Sequence, residues 1–249
     1  MADRLLDRLQ EEIAEPGSEA GCLGTLVADD AALSHRQAEL KHRACERVGM
    51  RWRSVRLGGN ASTEMVLSAV AELNDDADGI FVHWPLPPQV DADRVLDALP
   101  PAKDIDGLRP VSPFVAASAV ATLDVLRAHD VRLDASRVVV VGGASSLVCG
   151  LERVLGVVAA ALTTVPPGAE DAAARCRAAD VVVGAAYRRG LVNGDWVSEG
   201  AAVVDAASGD VDVDSLCRRT GLLCASPGGI GPPTVARLLS ATHAAASGR

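Results

Sequence analysis

The chain is poor in aromatic residues, with three Trp, two Phe and one Tyr among 249. Ala, Val and Leu must therefore fill its cores, and a hydrophobic content of 49% suffices for one or two domains. Basic charge is also short. Against 33 Asp and Glu stand 24 Lys and Arg, a net charge of -9 that argues against nucleic acid as a partner. No C-x-x-C pair occurs among Cys22, Cys45, Cys149, Cys176, Cys217 and Cys224, so neither a metal site nor a disulfide framework is signalled. No apolar run approaches the roughly 20 residues of a membrane span, and the stretch from Asp3 to Ile13 is charged and amphipathic, without an apolar signal core. These absences predict a soluble protein of the reducing cytoplasm, with no membrane partner.

What is present is regular alternation of strands and helices. Helices are expected over 4–13, 31–48, 63–73, 91–99 and 117–129, with strands over 23–28, 51–57 and 79–84. Beyond residue 137 the order is strand 138–142, helix 147–160, strand 161–165, helix 170–178 and strand 180–184. Short strands near 202–205 and 222–224 and a helix over 233–245 complete it. Such alternation predicts an α/β fold of parallel sheets wrapped by helices, with ligands at the carboxyl ends of the strands. The stretch 100–113 is the expected junction, dividing an N-terminal substrate domain (1–112) from a Rossmann-like doubly wound domain (113–232). The C-terminal helix (233–247) is expected to pack back on the first.

The most informative segment is Val138-Val139-Val140-Val141-Gly142-Gly143-Ala144-Ser145-Ser146. Four consecutive valines suit a parallel strand buried on both faces. Paired glycines then permit a tight turn, and the following helix offers its N-terminal amides to a phosphate. Yet the turn does not spell G-x-G-x-x-G, and it contains no Arg or Lys.

Four other segments could carry chemistry. Ser34, Gln37, Lys41 and Cys45 form a mostly polar helical stripe, with Lys41 beside Leu40 and Ala44 on the expected buried flank. By itself such a lysine is most simply a solvated surface group. His83 ends a buried strand that runs into Trp84-Pro85-Leu86-Pro87, and a strand-end histidine is more often structural than catalytic. Lys103-Asp104-Ile105-Asp106-Gly107 reads alone as an Asx turn. Pro227-Gly228-Gly229-Ile230-Gly231-Pro232-Pro233-Thr234 allows close approach of backbone to a ligand just before a helix.

Together these segments resemble the bifunctional methylene-tetrahydrofolate dehydrogenase/cyclohydrolase family. Its K-R-K-A-C-E-E-V-G pattern corresponds to Lys41-His42-Arg43-Ala44-Cys45-Glu46-Arg47-Val48-Gly49, and its G-I-L-V-Q-L-P-L-P strand to Gly79 through Pro87. Its K-D-V-D-G loop matches Lys103 to Gly107, and its P-G-G-V-G-P-M-T matches Pro227 to Thr234. The register holds from about residue 23 to 239. The resemblance implies oxidation of methylene-tetrahydrofolate with NADP and hydrolysis of the methenyl product, in one cleft between two domains of a homodimer. It makes Lys41 the proton-transfer residue and Asp106 the pterin anchor. Ser34, Gln37, Trp84, Pro85, Gly228 and Gly229 would bind substrate; Gly143, Ala144, Ser145, Ser146 and Ile230 would bind cofactor.

The departures are uneven. The family's folate-flanking Tyr is Gln37, its lysine-partnering Gln is His83, and the next Leu is Trp84, which could replace the lost ring surface. The P-C-T-P segment has no counterpart at Ala116-Ala117-Ser118-Ala119, and D-V-G-x-N is reduced to Asp205-Ala206-Ala207. The arginine tied to the cofactor's phosphate is Ala144, and Pro166-Pro167 offer a ribose neither acid nor base. Losing one charged phosphate contact costs on the order of 1.5–3 kcal/mol, so binding of NADP or NAD is expected to be weak or absent. Hydrolysis, needing only the lysine, a water and the pterin anchor, is the step better preserved. A neutral His83 could accept a hydrogen bond from Lys41, whereas a protonated one would repel it, predicting a rate that titrates near pH 6–7. Alternatives are a repurposed enzyme for another iminium or carbinolamine, or a non-catalytic folate-binding protein.

Overall fold

The computed structural model describes residues 1–248, in two compact units. The first comprises Ala2–Ala117 and the C-terminal segment from Val235; the second is Ser118–Thr234.

In the first unit the order is α1 (Ala2–Ala14), β1 (Cys22–Ala28), α2 (Ala32–Val48), β2 (Arg51–Leu57), α3 (Thr63–Asp76), β3 (Gly79–Val82) and α4 (Ala92–Ala98). The strands form a parallel sheet ordered β2-β1-β3. All seven residues of central β1 are buried, whereas edge strand β2 carries Arg51, Arg53 and Arg56 outward. Local chemistry sets the helix ends. Ser62 accepts from Met65 N at 3.3 Å to open α3, Asp91 accepts from Arg94 N at 3.1 Å to open α4, and Gly49 closes α2 at φ +79°.

The second unit contains α5 (Ala117–Ala128), β4 (Arg137–Val141), α6 (Ser146–Leu155), β5 (Ala161–Val165), α7 (Ala172–Arg177), β6 (Val181–Gly184), β7 (Ala202–Asp205), α8 (Val213–Leu216) and β8 (Leu222–Cys224). Its five strands are all parallel, in the order β5-β4-β6-β7-β8. Valines of β4, β6 and β7 are buried on both faces, as the continuous apolar runs require. In this doubly wound order the direction in which successive strands are added reverses between β4 and β6, the point where ligands sit beyond the strand ends. The last helix, α9 (Gly231–Ala246), places Ala236, Leu238 and Leu239 in a core with Leu9, Leu23, Cys45 and Ile105 of the first unit.

One expected element is shorter than its apolar pattern implies. α6 closes at Gly156, and Val157 beyond it is 82% exposed. Glycine weakens a helix by roughly 1 kcal/mol relative to alanine, enough to end it before the apolar 157–160. α8 carries no recognisable signal in the sequence, since four residues are too few for a helical period. Among the described residues no helix is long and apolar enough to cross a membrane, and no cluster of three His, Cys, Asp or Glu side chains could hold a metal.

Candidate active site

Lys41 lies on the inward stripe of α2. Ala38, Cys45 and Val48 on that stripe are at most 2% exposed, and Lys41 itself is 4% exposed. The spacing 38, 41, 45, 48 is that of a core-facing helical row, so the lysine takes a position normally apolar. The expected flank is corrected here: Leu40 faces solvent at 51% exposure, because the helix is rotated to turn Ala38 and Lys41 inward. Gln37, one turn toward the N-terminus, is exposed, and Ser34, two turns toward it, is half-buried. Burial lowers the Lys41 ammonium from the ordinary lysine value to about 8, with the nearby Asp106 charge opposing the shift. Its Nζ stands 4.2 Å from the ring centroid of Phe81.

Phe81 and His83 lie two residues apart on β3 and its end, so both project to the same side of the sheet. Their rings meet edge to face at 4.9 Å. The backbone N–H of His83 donates to Leu26 O at 2.9 Å, the last rung before the proline turn. Trp84 is 38% exposed and Pro85 is exposed, joined by a cis peptide bond. The His83 ring is buried, and among the described residues its Nε2 has no hydrogen-bond partner. Burial first, and the Lys41 charge second, push its pKa down to about 3. The expected charge switch near pH 6–7 is therefore overturned: the imidazole stays neutral across that range.

The Lys103–Gly107 loop divides its labour. Lys103 Nζ donates to Asn74 O at 2.5 Å, and Asp104 accepts from the N–H groups of Leu108 at 3.0 Å and Arg109 at 2.8 Å. Ser112 Oγ donates to Asp104 O at 2.8 Å. Gly107 has φ +59°, and a Cβ there would lie 2.9 Å from Phe114 O, so only glycine fits. These contacts hold Asp106 in place. Its Oδ1 accepts from Ala117 N at 2.9 Å, where α5 begins. Desolvation raises the Asp106 carboxyl to about 6, against the pull of the Ala117 bond and of Lys41. Between pH 6 and 8 the site thus holds an ammonium, a carboxylate and a neutral imidazole.

The other expected site residues belong to the second unit. At the end of β4, a Cβ on Gly142 would lie 2.6 Å from Val148 Cγ2 and 2.7 Å from Ala185 O. The turn can close only without one. Gly143 faces open space, so its backbone is approachable. Ser145 caps α6 by accepting from Val148 N at 3.2 Å, leaving the amides of Ser146 and Leu147 for a ligand. Ala144 follows Gly143 without charge. After β8, Gly228 has φ +93°, and a Cβ on Gly229 would lie 2.6 Å from Ala225 O. Ile230 is buried, immediately before α9. Glycine-lined backbone at a strand-order reversal fits the phosphates of a dinucleotide.

A lysine buried against an aromatic ring in one unit, and a glycine turn at a parallel-sheet switch point in the other, define a two-domain α/β enzyme with a nucleotide-type fold. Residues 1–106 match the catalytic domain of tetrahydrofolate dehydrogenase/cyclohydrolase, and residues 116–249 match its NAD(P)-binding domain. The chain belongs to the tetrahydrofolate dehydrogenase/cyclohydrolase family. It is 35% identical to the bifunctional protein FolD of Methanoculleus marisnigri, over 99% of this chain and 94% of that one. Identity to the FolD of Sorangium cellulosum is 34%, covering 100% and 95%. The Trypanosoma brucei methylenetetrahydrofolate dehydrogenase-cyclohydrolase, solved with NADP and an inhibitor, superposes with a TM-score of 0.88 at 31% identity, covering 97% of this chain and 93% of that one. Full-length membership favours the folate assignment over the non-folate and non-catalytic alternatives.

Sequence reasoning missed Phe81. The signal was available, since residues i and i+2 on a strand share a face and His83 was already a candidate.

Proposed function

We propose that this one-carbon folate enzyme hydrolyses the methenyl bridge of a tetrahydrofolate, with Lys41 moving the proton and Asp106 holding the pterin edge. Water adds its oxygen to the bridge carbon and gives one proton to the Lys41 amine. The carbinolamine hydroxyl so formed loses the second as the carbon–nitrogen bond opens to leave a formyl group. The departing folate nitrogen takes up one of the two protons, and the other leaves to solvent. The observation that carries this reading is the burial of Lys41, whose pKa near 8 leaves about a tenth of it as free amine at pH 7. His83, uncharged, leaves the lysine's titration to burial and Asp106, and its unpartnered Nε2 is available to a water or to the folate.

Gly143, Ser145, Ser146 and the loop at Gly228 and Gly229 would hold NADP or NAD, which when bound accepts a hydride from the methylene carbon. Without charge at Ala144 or at Pro166-Pro167-Gly168 directly after β5, the proposal is weak binding with little preference between the two. A cytoplasmic homodimer completes the proposal, tested by the particle mass in solution.

Purified protein mixed with methenyl-tetrahydrofolate tests the hydrolysis directly. Loss of the methenyl absorbance, absent in Lys41→Ala, is expected. Equal rates in the two proteins would remove the lysine from the chemistry.

A further inference from the structure

The cofactor turn carries no cation, yet a dinucleotide brings at least two negative charges. Five loops leave the carboxyl ends of the second unit's strands: 142–145 after β4, 166–171 after β5, 185–201 after β6, 206–212 after β7 and 225–230 after β8. Arg188 and Arg189 are the only Lys or Arg in all five. Both follow β6, the strand paired with β4 across the switch point. Both are exposed, and neither guanidinium is in an ion pair among the described residues.

The loop that bears them is tightly braced. Asp210, fully buried, accepts from the N–H groups of Ala186 and Arg188, the latter at 2.7 Å. Gly190 N donates to Gly209 O at 2.8 Å, and Val192 N donates to Asp210 O at 2.9 Å. Gly184 makes room for this, since a Cβ there would lie 2.8 Å from the Cβ of Asp210. Between the braces Tyr187 is held at φ +54°, a left-handed conformation costly for a bulky residue, with its side chain 69% exposed. Strain of this kind persists only where the surroundings over-determine it, and it collects at ligand sites.

We propose that Arg188 and Arg189 supply the charge for the cofactor's pyrophosphate, in place of the uncharged Ala144. The 2′-phosphate is a poorer fit. It belongs beyond β5, on the opposite side of β4 from β6, where Pro166-Pro167-Gly168 carry no charge. Arg188 and Arg189 should therefore serve NAD and NADP equally. This inference rests on the proposal that the second unit binds a nicotinamide dinucleotide.

Titration calorimetry of the full chain with NAD, NADP, ADP-ribose and adenosine 2′-monophosphate tests it. In Arg188→Ala/Arg189→Ala the affinities for NAD, NADP and ADP-ribose should fall together, roughly ten- to hundredfold, while adenosine 2′-monophosphate binding is unchanged. The salt dependence of NAD binding should flatten in that variant and return in Arg188→Lys/Arg189→Lys. Unchanged NAD and NADP affinities would overturn the inference while leaving cofactor binding intact. A loss confined to NADP would overturn the pyrophosphate assignment. Wild-type protein that binds neither dinucleotide would overturn the reading beneath it.

Discussion

Lys41 Nζ stands 4.2 Å from the centroid of the Phe81 ring, with no carboxylate in an ion pair with it among the described residues. A cation over an aromatic face gains about 0.5–2 kcal/mol, the upper figure where water is excluded. Phe81 thus favours the charged form of the desolvated amine. Phe81→Leu removes this attraction, so the Lys41 pKa should fall from about 8 by up to about 1.5 units. The pH–rate profile for methenyl hydrolysis reads the shift as a displacement of that limb to lower pH. A limb that stays at pH 8 would separate the ring from the lysine's titration.

Lys41 should also cost the fold stability. In the unfolded chain it keeps its ordinary value of 10.5, while the folded protein releases the proton at about 8. Below pH 8 both states hold the proton, and the full penalty of the buried charge applies, on the order of 3 kcal/mol. From pH 8 to 10.5 the folded state alone has lost its proton, and stability recovers as pH rises. Lys41→Met should therefore be more stable than wild type at pH 7, lack that alkaline recovery, and hydrolyse nothing. Urea unfolding at pH 7 and pH 10, followed in both proteins, checks each part.

The burial of a charge at Lys41 is also why the role proposed for it was only partly legible. The motif around it, and the Lys103–Gly107 loop, were recognisable because both need fixed residues at fixed spacing. The lysine's burial was not. Ser34, Gln37, Lys41 and Cys45 look like one polar stripe, and only packing shows that the helix turns Ala38, Lys41, Cys45 and Val48 inward. The parallel sheets followed from the valine runs, but α6 stopped short because one glycine outweighed the apolar residues after it. Arg188 and Arg189 were invisible for another reason. A loop without a motif gains meaning only from strand order, which no local pattern encodes.

His83 should titrate in stability rather than in rate. Its folded pKa of about 3 lies below the ordinary 6.5, so the unfolded chain binds the proton first. Stability is intact above pH 6.5 and is lost as pH falls toward 3, by up to about 5 kcal/mol. Asp106 acts in the opposite sense between 3.8 and about 6, since its folded carboxyl takes a proton before the unfolded one. Comparing variant with wild type at each pH isolates the histidine. His83→Gln should lose less stability on acidification, with the limbs of its pH–rate profile unmoved. A limb near pH 6.5 that disappears in the variant would restore the charge switch.

On the proposed reading Asp106 would set the acid side of the activity. Above about pH 6 its carboxylate is charged and can accept from a pterin N–H, while Oδ1 remains engaged by Ala117 N at 2.9 Å. Asp106→Asn keeps that backbone bond, because the amide oxygen still accepts, but it removes the charge. The acid limb near pH 6 should vanish, and the Lys41 limb should move below 8, since the charge raising the lysine's pKa is gone. Folate KM should rise roughly ten- to hundredfold, the effect of losing a charged hydrogen bond. Steady-state kinetics between pH 5 and 9 measure both effects at once. A displaced limb with an unchanged KM would leave Asp106 as an electrostatic neighbour of Lys41 and take it out of contact with the substrate.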